Sequence, residues 1–124
     1  MIPGRVLLID DNDDQRSMLA NALRARDWNV DVAASGKQGI ERAQLARPDV
    51  VMTELLLPDV RAYHFARTLR SVIEHDMRVI ALTRLPVSLH VRALAEGFDL
   101  VECKPIDPDR LHEKLSALVT ARAS

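Results

Sequence analysis

Five short apolar runs alternate with five longer amphipathic stretches, and this alternation constrains the chain more than any other feature. The runs are Arg5–Asp10 (RVLLID), Asn29–Ala34 (NVDVAA), Asp49–Glu54 (DVVMTE), Arg78–Thr83 (RVIALT) and Asp99–Cys103 (DLVEC). Four are rich in Val, Ile and Leu, as strands covered on both faces should be. The second sets apolar Val30 and Val32 between polar Asn29 and Asp31, which reads as an edge strand. The stretches between carry helical spacing. Asp13–Arg26 places Met18, Leu19, Ala22 and Leu23 on one face, and Lys37–Arg47 has a narrow stripe of Ile40 and Ala43. Ala62–Ile73 aligns Ala62, Ala66, Leu69 and Ile73, and Pro86–Glu96 shows Val87, Val91, Leu94 and Ala95. Asp107–Ala121 carries Leu111, Leu115, Leu118 and Val119. Gly97 suits the C-cap of the fourth helix, and Asp107 with Pro108 suits the start of the fifth. Strict βαβ alternation predicts a doubly wound α/β fold, a parallel sheet with helices on both faces and right-handed crossovers.

Composition narrows the class further. A chain of 124 residues fits one domain, and no linker, repeat or low-complexity tract divides residues 1–124. The net charge of −1 and an aromatic content of 3% give no footprint for direct nucleic-acid binding or for an anionic membrane. The single cysteine excludes an internal disulfide framework. No apolar run reaches the ~18 residues of a membrane helix, and Asp10 and Asp11 interrupt the first apolar segment too early for a signal peptide. A cytoplasmic location is the expectation.

In an open parallel sheet, ligands sit beyond the carboxyl ends of the strands. Asp10, Asp11, Asn12, Asp13 and Asp14 follow the first run, Glu54 ends the third, Thr83 ends the fourth, and Lys104-Pro105 follows the fifth. Each has a bland reading alone. The aspartates suit the positive end of the first helix, Thr83 suits a strand end, and Lys104 suits the surface. At four strand ends in this order, they converge on one edge.

That constellation resembles the receiver domain of bacterial two-component response regulators over essentially the whole chain. The stretches carrying it are VLLIDDNDDQRSML (Val6–Leu19), PDVVMTELLLPDV (Pro48–Val60), VIALT (Val79–Thr83) and GFDLVECKP (Gly97–Pro105). The resemblance implies a flavodoxin-like (βα)5 sheet of strand order 2-1-3-4-5 and a cis peptide before Pro105. It also implies a protein partner, a second copy included, on the face of the fourth helix, fifth strand and fifth helix. Arg84, His90, Arg92 and Glu102 are the residues expected there.

Three departures from the family pattern bear on function. Glu54 stands where typical receivers carry the phosphoaccepting aspartate, which moves the carboxylate outward by about 1.5 Å, one carbon–carbon bond. In-line phosphoryl transfer depends on accurate placement, so Glu54 is expected to attack poorly. Held near Thr83 and Lys104, the longer carboxylate is also expected to imitate part of a phosphoryl group's charge. Val101 replaces the aromatic switch residue three positions before the lysine, and valine has no ring to swing. Arg61-Ala62 stands where the family often has Asp-Gly, losing a glycine-permitted turn.

The resemblance further implies magnesium, held weakly by Asp10, Asp11, Glu54 and the Leu56 carbonyl. The alternative is that Lys104 neutralises the carboxylates directly. The expected function is therefore an atypical, non-enzymatic, phosphorylation-independent receiver in signal transduction. A small haloacid-dehalogenase-like phosphatase would use Asp11, Asp13, Thr83 and Lys104, but its terminal acidic pair is missing. A flavodoxin-like cofactor binder would need a phosphate loop where DNDD repels phosphate. His64, His75, His90 and His112 lack metal-ligand spacing and are expected on helix surfaces or loops. Gly36-Lys37-Gln38-Gly39 reads as a turn and helix start. Cys103 is expected to be a small core thiol. Trp28 anchors either the second strand's entry or a partner.

Overall fold

The computed structural model describes residues 4–123. Strand β1 (Arg5–Ile9) leads through helix α1 (Asp13–Arg24) to β2 (Asn29–Ala33), and α2 (Gly36–Ala46) leads to β3 (Val50–Glu54). A 3-10 turn at Ala62–His64 opens α3 (Phe65–Val72), and β4 (Arg78–Thr83) follows. A second such turn at Val87–Leu89 opens α4 (His90–Ala95), before β5 (Leu100–Cys103) and α5 (Pro108–Ala123). The strands form one parallel sheet in the order β2-β1-β3-β4-β5. This is the flavodoxin-like arrangement expected, with β2 at an edge.

Side-chain alternation splits the core into two layers. Leu7, Ile9, Val51, Val79 and Ala81 face Ala43 of α2, Phe65, Ala66 and Leu69 of α3, and Ala93 of α4. Val6, Leu8, Met52, Ile80 and Leu82 face Ala20 and Leu23 of α1 and Leu111 and Leu115 of α5. Helix α2 approaches the sheet through glycine: a Cβ on Gly39 would lie 2.4 Å from the Ile9 Cδ1. Gly97 follows α4 with φ +106°, a conformation that favours glycine. Asp107 closes the start of α5, its side chain accepting from the Asp109 N–H at 3.0 Å.

Several helical faces depart from the expected ones. Of the face expected for α1, Leu23 is buried and Leu19 packs against the core, but Met18 is 68% exposed and Ala20 is buried in addition. The apolar stripe of the fourth helix faces outward: Val87 and Val91 are each 70% exposed and Leu94 is 47% exposed. Helix α4 packs through Ala93 and the buried His90 ring, whose Nε2 lies 2.9 Å from the Leu85 carbonyl. Periodicity identifies a stripe but not which side of a short edge helix meets the sheet. His90 is therefore not a surface residue, and neither is Glu102, which is buried and pairs with Lys114 of α5.

Cys103 is exposed rather than a core thiol. It ends an edge strand on the face served by the six-residue α4, with the His90 Nε2 3.6 Å from its Sγ. Trp28 is buried at the entry to β2, and its Nε1–H donates to the Nδ1 of His112 at 2.8 Å. His75 is half-buried, its Nε2 2.7 Å from the Pro48 carbonyl, and only His64 of the four is exposed.

Candidate functional site

Strand order places the ends of β1, β3, β4 and β5 side by side, and the polar residues that follow them meet there. Asp10, just past β1, is buried, and its Oδ1 accepts from the Asn12 N–H at 3.0 Å. Asn12 caps α1 in turn, its Oδ1 accepting from the Gln15 N–H at 2.9 Å. The first-helix cap is thus the asparagine rather than an aspartate. Asp11 is exposed, and Asp13 pairs with Arg16 at 2.6 Å.

Lys104 is the centre of the cluster. Its side chain is 6% exposed and reaches back from the end of β5. The Nζ donates to the Asp10 Oδ2 at 2.9 Å and to the Gln15 Oε1 at 2.8 Å, and it lies 3.4 Å from the Glu54 Oε1. An ammonium has three donors, and these three acceptors account for them. Gln15 escaped sequence reasoning because nothing local marks it, since its partner lies 89 residues away.

Glu54 ends β3 half-buried and folds back on its own strand: the Leu55 N–H donates to its Oε2 at 2.9 Å. Burial holds the Glu54 carboxyl above the usual carboxylate value, against the opposing pull of Lys104. Thr83 is buried, but its Oγ1 accepts from the Leu85 N–H at 3.1 Å. Among the described residues no hydrogen bond joins Thr83 to Glu54, so the expected contact between them is not made. Val101 is half-buried against the layer that holds Phe65 and Ala93. The Lys104–Pro105 peptide is cis. Leu56 is 53% exposed in the loop after β3.

That loop is tied to α2. The Asp59 carboxylate accepts from the Gly36 N–H at 2.9 Å and the Lys37 N–H at 3.0 Å, beside the Ser35 cap of the same helix. The Lys37 and Gly36 N–H groups hold the Asp59 carboxyl below its usual value. Gly36 is needed here, because a Cβ would lie 2.2 Å from the Val60 Cγ1. Val60 therefore packs where a side chain on the helix would stand.

The donor set of Asp10, Asp11, Glu54 and the Leu56 carbonyl suits a hard divalent cation in kind. In the arrangement seen, a cation would compete with Lys104 and with backbone donors for those oxygens. Both Asp10 oxygens and both Glu54 oxygens are engaged, Asp11 points to solvent, and no trio of acidic, histidine or cysteine side chains converges among the described residues.

Comparison with known proteins agrees with this geometry. The chain is 30% identical over 117 residues to the transcriptional regulatory protein TrcR of Mycobacterium tuberculosis, covering 94% of this chain and 46% of that protein. It is 30% identical to the cell cycle response regulator CtrA of Brucella ovis, over 93% of this chain and 50% of the other. It spans about half the length of these curated relatives. Among solved structures, a two-component response regulator from Clostridium difficile superposes with a TM-score of 0.88 at 21% identity, covering 97% of this chain and 98% of that one. The family model for the response regulator receiver domain matches residues 6–116. The chain belongs to the response regulator receiver domain family.

Proposed function

We propose that this chain is a non-enzymatic, cytoplasmic signalling module whose state does not depend on phosphorylation. Glu54 takes the place of the phosphoaccepting aspartate and supplies a permanent carboxylate at the end of β3. The observation that carries the proposal is the contact between Glu54 and Lys104, at 3.4 Å and largely buried. One oxygen of the longer side chain lies against the Lys104 ammonium while the other folds onto the Leu55 N–H. A nucleophile so held is badly placed for in-line attack. The imitation of an acyl phosphate is partial, because Thr83 spends its contact on Leu85. Receiver domains typically bind magnesium at the phosphorylation site; here a cation would have to draw Asp10 away from Lys104, which agrees with weak binding at most.

Signalling then runs through contact with another protein, not nucleic acid or membrane. The face of α4, β5 and α5 is the best candidate surface. Val87, Val91 and Leu94 form an outward apolar stripe there, with the exposed Cys103 at the end of β5. The other two residues expected on that face lie elsewhere: Arg84 lines the hollow between α1 and the β5–α5 loop, and the Arg92 guanidinium stacks 4.3 Å from the Tyr63 ring centroid. A second copy or an output domain on a longer polypeptide fits that face, the latter in keeping with relatives about twice the chain's length.

Amide NMR spectra with magnesium and acetyl phosphate test the proposal. The expected result is no acetyl-phosphate-dependent change in the segment from Thr83 through α4. A slow shift of that segment to a second set of peaks, reversed when acetyl phosphate is exhausted, would contradict it.

A further inference from the structure

Beside the Glu54 cluster, a cavity of about 370 Å³ opens between α1, the end of β4 and the loop from β5 to α5. Its walls are apolar, formed chiefly by Met18, Leu19, Leu82, Ile106 and Pro108. The size lies within the roughly 300–1,000 Å³ range of small-molecule sites. Met18, at 68% exposure, leaves an apolar wall wetted where nothing in the fold covers it.

The polar groups around this cavity divide by what remains free. Asp10 accepts from the Asn12 N–H and from Lys104. Lys104 has its donors committed to Asp10, Gln15 and Glu54. The Gln15 carbonyl accepts from Lys104, which leaves its amide N–H groups without a partner among the described residues. The exposed Arg84 guanidinium likewise has no hydrogen bond or ion pair among them. The uncommitted groups are therefore donors only, an amide and a cation at the rim of an apolar hollow. Such a site matches a ligand with an acceptor head and a compact hydrocarbon body. Asp10 and Glu54 bring more negative charge than Lys104 balances, which favours a monoanion over a dianion such as a phosphate ester.

We propose that this cavity binds a small apolar monocarboxylate, its head on Arg84 and Gln15 and its chain against Met18, Leu19 and Ile106. The site is separate from the proposed phosphorylation independence and stands whether or not Glu54 accepts phosphate. The test is amide NMR titration of the full chain with sodium hexanoate, hexanamide and hexyl phosphate. Hexanoate is expected to give saturable shifts at Gln15–Leu19, Arg84 and Ile106, with affinity roughly tenfold above that for hexanamide. Arg84→Ala, an exposed change that leaves the rest of the spectrum in place, is expected to remove that difference. The proposal is overturned by non-saturating shifts, by equal affinity for the acid and the amide, by an unchanged hexanoate affinity in Arg84→Ala, or by tighter binding of hexyl phosphate.

Discussion

Replacing Lys104 by methionine tests whether the ammonium holds the acidic edge of the sheet together. Methionine keeps much of the stem's volume and removes the charge. At an effective dielectric of about 20, unit charges separated as Lys104 is from Asp10 and Glu54 attract by roughly 5–6 kcal/mol each before desolvation. Desolvating buried ions takes back several kcal/mol, so the net worth of the intact cluster is far smaller than that sum. Deleting one partner is different. The Asp10 side chain, 4% exposed, keeps its burial and loses its counter-ion, with a second carboxylate nearby. Breaking such a pair typically costs about 3–5 kcal/mol, a large share of the roughly 5–15 kcal/mol that stabilises a domain. Urea denaturation at pH 7 measures the loss as a lower midpoint with unchanged slope. Adding Asp10→Asn to Lys104→Met should restore about half of the loss or more, since it removes the orphaned charge. A loss below about 1 kcal/mol, or a double variant no more stable than the single one, would refute the reasoning.

Other outcomes follow from the same geometry. Asp59→Ala should cost about 1 kcal/mol in urea denaturation, because two N–H groups at the start of α2 lose their acceptor. The folded Asp59 carboxyl lies below its usual value of 3.8, so its contribution is present above about that pH and disappears as pH falls through the lowered value. The slope of stability against pH in that window should be shallower in Asp59→Asn. Glu54 has the opposite sign: its carboxyl is raised by burial, so stability should fall as pH rises from 4.5 through the folded value, and Glu54→Gln should abolish that component. Val91→Asp should leave the unfolding free energy within about 0.5 kcal/mol of wild type, since the side chain is already largely in water, yet abolish partner capture or self-association measured by sedimentation.

The sheet was legible because its evidence is local. Runs such as RVLLI and RVIAL have no helical alternative of similar quality, and alternation in NVDVA marked the edge. The four strand-end residues were legible for a related reason, since parallel topology alone brings Asp10, Glu54, Thr83 and Lys104 to one side. What the sequence did not disclose depends on distance and on how a short helix is rotated. His90 rather than Val91 turns inward, where the loop after β4 offers its ring the Leu85 carbonyl and Ala93 packs against the sheet. Gln15 joins Lys104, and Asp59 joins α2, across 89 and 22–23 residues, with no spacing signal in either case. Thr83 and Glu54 illustrate the limit: topology makes them neighbours, but each side chain finds a backbone N–H closer to hand.

Intact-protein mass spectrometry tests directly whether Glu54 acts as a nucleophile. Wild type and Glu54→Asp are each incubated with acetyl phosphate and magnesium, and the mass of one phosphoryl group is sought. The expected result is no adduct on wild type and an acid-stable, hydroxylamine-sensitive adduct on Glu54→Asp, showing that only the side-chain length stood in the way. An adduct on wild type that maps to Glu54 would contradict the account.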